Sequence, residues 1–226
     1  SNKSAFDFDY IYVAPVRSSA TYNAEGSSTS ISSYSLRLIP KKGDTPKISS
    51  YWSYSGNVYF TYPSLKHQDG YQFKIYKANK KKAVKTLTNS TSCQLKKGQA
   101  YKVRTRSYAL VNSTKKYGAW SSYKYFVPGV KSLRVTSRTQ HSVKIKWAKV
   151  KGGKVKYDIY VSTSYNKGKK KALKNVKGTS ARITKCGKKS LKRNSYYYFY
   201  VVPKVKAGKK YKASPIYSYV TTYTRY

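Results

Sequence analysis

The sequence predicts an all-β protein made of two tandem sandwiches with a β extension ahead of them. Three observations carry that reading. Short segments alternate apolar and polar residues with a period of two, as in Val58-x-Phe60-x-Tyr62 and Val143-x-Ile145-x-Trp147. Clusters of Gly, Pro, Asn and Lys interrupt these segments, as turns interrupt the short strands of a sandwich. The second half of the chain then repeats the order of the first.

The repeat can be followed segment by segment. Val58-Tyr-Phe60-Thr-Tyr62 matches Val143-Lys-Ile145-Lys-Trp147, and Phe73-Lys-Ile75-Tyr76 matches Tyr157-Asp-Ile159-Tyr160. Tyr101-Lys-Val103-Arg-Thr105 aligns with Tyr198-Phe-Tyr200-Val-Val202, and Lys115-Lys116-Tyr117 with Lys209-Lys210-Tyr211. Pro128-Gly129 punctuates the two halves and is too short for a floppy linker, which predicts a semi-rigid end-to-end pair. The expected modules are 45–128 and 129–226. Residues 1–44 have no counterpart in the repeat, and read either as an extension of the first module or as the end of a preceding domain. Within them, Phe6-x-Phe8-x-Tyr10 and Tyr34-x-Leu36-x-Leu38 alternate like strands, and Ser18 to Ser33 reads as a loop.

Charge is the second feature of the chain. Its 226 residues hold 48 Lys and Arg against 6 Asp and Glu, a formal net charge of +42. Internal ion pairs exhaust the acids first, so most cations face solvent or an external polyanion. Tyrosine contributes 27 residues and aromatics 16%, which sets the chain apart from disordered basic tails. No run of apolar residues is long enough to span a membrane.

The strand motifs resemble fibronectin type III domains, a family of immunoglobulin-like sandwiches. Val143 to Trp147 would be strand B, Tyr157 to Ser162 strand C, Tyr198 to Val202 strand F and Ser214 to Thr221 strand G. In the first module the matching segments are Val58 to Tyr62, Phe73 to Ala78, Tyr101 to Ser107 and Trp120 to Val127, with Tyr62 in the place of Trp147. Asp69-Gly70-Tyr71 and Lys116-Tyr117-Gly118 are similar to segments of the Lys/Tyr-rich kind found in secreted and cell-surface proteins of Gram-positive bacteria. The resemblance implies an extracellular or cell-surface setting. This fold hosts adhesins, spacers, receptors and enzyme accessory modules alike.

It also implies where the cations sit. Lys80, Lys81 and Lys82, and likewise Lys167, Lys169, Lys170 and Lys171, would follow strand C. Lys96 and Lys97, and likewise Lys188, Lys189, Lys192 and Arg193, would precede strand F at the same pole. Lys115 and Lys116, and likewise Lys206, Lys209 and Lys210, would lie between strands F and G at the opposite pole. An end-to-end tandem then places a basic belt at the junction and a second basic tip at the far end. Lysine is a hydrated point charge suited to loose, salt-sensitive contact, and exposed tyrosines beside it offer stacking faces for sugars or bases.

Catalytic chemistry finds little support in the residues. The acids are Asp7, Asp9, Glu25, Asp44, Asp69 and Asp158, of which only Asp7 and Asp9 are close in sequence. Those two share one face of a strand and offer fewer oxygens than a hard cation wants. His67 and His141 adjoin no nucleophile motif. Cys93 and Cys186 read as free, buried small hydrophobes, although the lysines around Cys186 would favour a thiolate if it were exposed. The expectation is a monomeric, non-catalytic module with no metal and no cofactor. It would serve as a spacer, an adhesin part or an electrostatic contact to an anionic polymer, either a cell-wall polymer or an acidic glycan. Two alternatives stay open: a nucleic-acid-binding protein, with non-specific affinity, and the accessory region of a larger secreted enzyme.

Overall fold

The computed structural model describes residues 8–16, 33–40, 42, 47–49, 56–61 and 68–226. The described residues contain strands and no α-helix. Among the described residues, twenty strands follow one another. β1 (Phe8–Val16) and β2 (Ser33–Pro40) pair as an antiparallel hairpin, and β2 runs close to β8 (Tyr101–Val111) and β9 (Thr114–Tyr117). The expected loop at Ser18 to Ser33 lies outside the described residues except at Ser33, which opens β2.

The first sandwich joins two sheets. One holds β3 (Lys47–Ser49), β4 (Asn57–Thr61) and β7 (Ser92–Gln94) in that order. The other runs β6 (Ala83–Thr88), β5 (Gly70–Lys77), β8, with β9 and β10 (Lys124–Phe126) both pairing the far edge of β8. The second sandwich repeats this plan. β11 (Arg134–Arg138), β12 (Val143–Lys146) and β15 (Ser180–Ile183) form one sheet. β14 (Lys170–Val176), β13 (Val155–Ser162) and β18 (Tyr196–Ala207) form the other, with β19 (Lys210–Ala213) and β20 (Ser218–Tyr223) both on the edge of β18. A small hairpin of β16 (Lys185–Cys186) and β17 (Lys189–Ser190) precedes β18. Three strands of A-B-E order facing C′-C-F-G is the fibronectin type III arrangement of an immunoglobulin-like sandwich, and here it occurs twice.

Alternation in the sequence becomes burial in the structure. Val58 and Phe60 on β4, with Phe73, Ile75, Val103 and Phe126 from the opposite sheet, fill the first core. Val143, Ile145 and Trp147 meet Tyr157, Ile159, Phe199 and Val201 in the second. Trp147 stands edge-on to Tyr157 at 5.1 Å, and the Tyr157 hydroxyl accepts the Val150 N–H at 3.2 Å, so this large aromatic pair is packed and the phenol satisfied. Tyr62, the expected counterpart of Trp147, lies outside the described residues.

The register of the F strands corrects one expected equivalence. Ile75 pairs with Val103 in the first sandwich, and Ile159 with Val201 in the second. Val103 therefore corresponds to Val201, and Tyr101 to Phe199 rather than to Tyr198. A slip of one residue exchanges the two faces of a strand. Tyr101 and Phe199 point into their cores, whereas Tyr198 is on the outer face with Tyr196 and Tyr200.

The two sandwiches share packed surface at their junction. Ala100 and Val127 contribute to the second core, and Ile216 contributes to the first. Backbone bonds cross the junction: Ala100 N–H to Lys151 O at 2.8 Å, Lys151 N–H to Gly98 O at 2.9 Å, and Asn79 N–H to Gly152 O at 3.1 Å. The Ser214 hydroxyl accepts the Val127 N–H and donates to the Val127 carbonyl, at 3.1 and 3.2 Å. Gly152 has a φ of +79°, and a Cβ there would fall 1.7 Å from Gln99 Nε2. The left-handed backbone favours glycine, and a side chain there would displace the Gln99 amide that donates to the Ala100 and Lys151 carbonyls.

Candidate functional site

The outer faces of the two C′-C-F-G sheets carry the most concentrated functional chemistry, and they differ from each other. In the first sandwich, β8 places Lys102, Arg104 and Arg106 on one face because they are two residues apart. β5 places Gln72, Lys74 and Tyr76 directly opposite them. The third side comes from the segment between β9 and β10. Gly118 N–H and Ser121 N–H bond the carbonyls of Ser107 and Thr105, and the Ser121 hydroxyl accepts the Thr105 N–H. The segment thus tracks β8 irregularly and lays its aromatic rings across the cations. The sequence reading placed a continuous strand from Trp120 to Val127; the strand itself is confined to Lys124–Phe126.

Cations and rings alternate along this face. The Arg106 guanidinium carbon lies 3.5 Å from the Tyr117 centroid and 4.3 Å from that of Trp120. Arg104 follows, 4.5 Å from Trp120 and 5.2 Å from Tyr123. Lys102 lies 4.9 Å from Tyr123, and Lys74 lies 5.4 Å from Trp120. Each such contact contributes about 0.5–1 kcal/mol when exposed and about 2 when desolvated. Arg106 also donates through Nε and Nη2 to Gln72 Oε1, and Arg104 to the Tyr76 hydroxyl. Burial pulls the Arg106 guanidinium down from its ordinary value while the neighbouring Tyr117 works the other way. Stacking fixes these guanidiniums and leaves part of each N–H edge for an anion, since a guanidinium has five donors.

The second sandwich answers the same positions differently. Asp158 stands where the first has Lys74, Tyr200 where it has Lys102, Val202 where it has Arg104, and Lys204 where it has Arg106. Asp158 is buried and accepts the Asn175 N–H at 2.9 Å; Lys171 and Lys204 lie 3.2 and 3.5 Å from its oxygens. Burial raises its carboxyl, but the Asn175 N–H and the two ammonium groups outweigh that and hold it below the ordinary carboxylate range. Among the described residues these two ion pairs are the salt bridges, so the cations of the first face meet no carboxylate there.

Beside them lies a patch of tyrosines. Tyr196, Tyr198 and Tyr200 project from β18, Tyr219 and Tyr223 from β20, and Tyr217 and Tyr165 from the flanking turns. Their rings form one connected group, with neighbouring centroids 4.7 Å (Tyr196–Tyr223) to 6.4 Å (Tyr198–Tyr200) apart. The Tyr200 hydroxyl accepts the Asn166 N–H at 2.7 Å, and Lys169 lies over both Tyr200 and Tyr217. Burial pushes the Tyr200 and Tyr219 phenols up, so both stay neutral at physiological pH.

The basic residues singled out by the sequence are distributed as follows. Lys80, Lys81, Lys82, Lys96, Lys97, Lys167, Lys169, Lys188, Lys192, Arg193 and Lys209 lie in turns, all but Lys169 exposed. Lys170 and Lys171 lie on β14, Lys115 and Lys116 on β9, Lys189 on β17, Lys206 on β18 and Lys210 on β19, rather than in loops. The reason is turn length: Val111 pairs with Thr114 and Ala207 with Lys210, so two-residue turns close these hairpins and the flanking lysines become strand arms. The turn carrying Lys80–Lys82 begins at Asn79, bonded to Gly152, and Lys206 N–H bonds Lys154 O, so both basic hairpins rise from the junction.

The remaining candidates have structural partners. Asp69 accepts the Leu110 N–H at 2.6 Å, and His141 Nδ1 lies 2.8 Å from the Leu191 carbonyl. His67, Asp7, Glu25 and Asp44 lie outside the described residues, as does the side chain of Asp9. Cys93 and Cys186 are unpaired, and half-buried rather than fully buried; desolvation raises both thiols more than Lys85 and Lys170 lower them. No group of three His, Cys, Asp or Glu among the described residues could hold a metal ion. An open hollow of about 790 Å³, lined by Arg138, Asn194, Tyr223, Thr224, Arg225 and Tyr226, brings together no acid–base pair. No helix among the described residues is long and apolar enough to cross a membrane.

The fold defines a tandem of fibronectin type III-like sandwiches, on strand order alone. No protein-family model and no curated protein matches the chain. Among solved structures, it is similar to the chicken CNTN1 FN1-FN3 domains at 13% identity, covering 87% of this chain and 72% of that one, with a TM-score of 0.33.

Proposed function

We propose that this chain is a non-catalytic module of a secreted or cell-surface protein that makes electrostatic contact with an anionic polymer, either a cell-wall polymer or an acidic glycan. The observation that carries the reading is the stacked cation face of the first sandwich. Arg104 and Arg106 are fixed between Tyr117, Trp120 and Tyr123 and meet no described carboxylate. Held in place, they lose little side-chain freedom on binding. Their planar donor edges suit phosphate, sulfate or carboxylate groups. The exposed lysines of Lys80–Lys82, Lys96 and Lys97 add long-range attraction around the same sandwich.

The test is a binding panel on the purified chain: a polyphosphodiester wall polymer, a sulfated glycan, single-stranded DNA and a neutral glycan, each at low and near-physiological salt. The proposal expects one anionic polymer to stay bound near physiological salt. Preferential, base-dependent retention of DNA would favour the nucleic-acid alternative, since stacked arginine and aromatic side chains also suit single strands. Absence of any binding at physiological salt would leave the chain as a spacer.

A further inference from the structure

We propose that the tyrosine patch of the second sandwich is a carbohydrate-binding platform, taking the flat C–H faces of pyranose rings in an uncharged, equatorially linked glycan chain. The patch is continuous from Tyr223 through Tyr196 and Tyr198 to Tyr165 and Tyr219, on two adjacent strands and one flanking turn. Tyr165, Tyr196 and Tyr223 are among the most exposed large side chains of the described residues, at 42%, 37% and 54%. Tyr200 is fully buried beneath them and anchors the group through Asn166 and Lys169.

Its charge selects the occupant. The chain carries +42, yet the outward positions of β18 from Tyr196 to Val202, and of β20 from Tyr219 to Tyr223, hold no charged residue. A nucleic acid needs cations along the whole path of its backbone, and here, among the described residues, they stand only at the two ends, Lys169 over Tyr200 and Tyr217 and Arg138 and Arg225 beside Tyr223, with none between. A second copy of the chain would bring a second large positive charge to the same surface. A neutral sugar needs neither. It asks for apolar ring faces interleaved with hydroxyl groups, which a row of tyrosines supplies.

The patch is also not a repeat of the docking surface between the sandwiches. The positions of the first sandwich that correspond to Tyr196 and Tyr198 are Gly98 and Ala100, whose backbone groups bond to Gly129 and Lys151 of the second. In the second sandwich, β20 pairs the same stretch, Tyr196 with Tyr223 and Tyr198 with Thr221. The backbone there is already used, and the side chains are large where the junction needs them small.

This inference does not rest on the polyanion reading, because salt separates the two. The experiment titrates the whole chain with a β-1,4-linked hexaose of N-acetylglucosamine and one of glucose, at low and high salt. The chain variants are Tyr198→Ala, Tyr198→Phe and Arg104→Ala, each with a thermal melt and a sedimentation run. The expected result is saturable binding to one hexaose that salt leaves unchanged. Tyr198→Ala weakens it about tenfold, Tyr198→Phe keeps the melting temperature and much of the affinity, and Arg104→Ala leaves it unaltered. Three results overturn the proposal: no saturable binding of either hexaose by the folded native chain, binding that high salt abolishes, or self-association of the native chain that Tyr198→Ala disperses.

Discussion

The Arg106 guanidinium carbon lies over the Tyr117 ring, 3.5 Å from its centroid, at the edge where β8 meets β9. The next ring, Trp120, is shared between Arg106 and Arg104 at 4.3 and 4.5 Å. Trp120 is therefore the ring whose loss loosens both arginines at once, although Arg106 keeps Tyr117 and Gln72 and Arg104 keeps Tyr76 and Tyr123. Trp120→Ala should lower stability by about 1–3 kcal/mol, the sum of two partly desolvated cation–π contacts and some buried area. Chemical denaturation reads the loss. Binding of an anionic polymer should weaken in the same variant although no charge has been removed.

Asp158 is the single acid of the second sandwich and is buried against Lys204, whose side chain is 14% exposed. Asp158→Asn should cost about 1–3 kcal/mol, because Lys204 keeps its 2.8 Å bond to Asn175 Oδ1 but loses the carboxylate that balances its charge. The more exposed Lys171 partner, at 41%, adds little to that. The pH dependence has a definite sign. The folded carboxyl titrates below its unfolded value, so its stabilisation is complete above about pH 4 and is lost as pH falls through the lower folded value. Melts across acidic pH should show this loss in the native chain and not in Asp158→Asn.

Alkaline pH should act on the tyrosine patch with the opposite sense. Burial raises the Tyr200 and Tyr219 phenols. Their contribution is complete below the unfolded tyrosine value of about 10 and is lost as pH rises towards the folded ones. Ultraviolet titration of phenolate should show a late-titrating class of tyrosines, and Tyr200→Phe should shrink it.

Gly152 makes the junction testable. Gly152→Ala forces a side chain into a φ of +79° and against Gln99. A loss of about 1–3 kcal/mol is expected. Gln99→Ala added to it should relieve the contact but not the backbone strain. Small-angle scattering should show the native pair as one extended shape and the Gly152→Ala pair as a broader distribution.

Much of the fold was legible because apolar alternation in Val58–Phe60 and Val143–Ile145 does translate into buried faces of β4 and β12. The spacing of Lys102, Arg104 and Arg106 likewise puts them on one face from sequence alone. Their aromatic partners were not legible, because Trp120 reaches them through an irregular segment that hydrogen bonds to Ser107 and Thr105 determine. The F-strand alignment went astray by one residue because Tyr198 matches Tyr101 in type, and only the ladder shows that Phe199 occupies the inward place. The lysines of β9 and β14 looked like loop residues because charge runs resemble turns when hairpin length is unknown.

The salt dependence of anionic polymer binding tests the central claim most directly, measured for the native chain and for Arg104→Ala/Arg106→Ala. The account predicts that log K falls linearly with log salt, and that the double variant both weakens binding and flattens the slope by about one unit per arginine. Equal affinity and an unchanged slope in a folded double variant would contradict it.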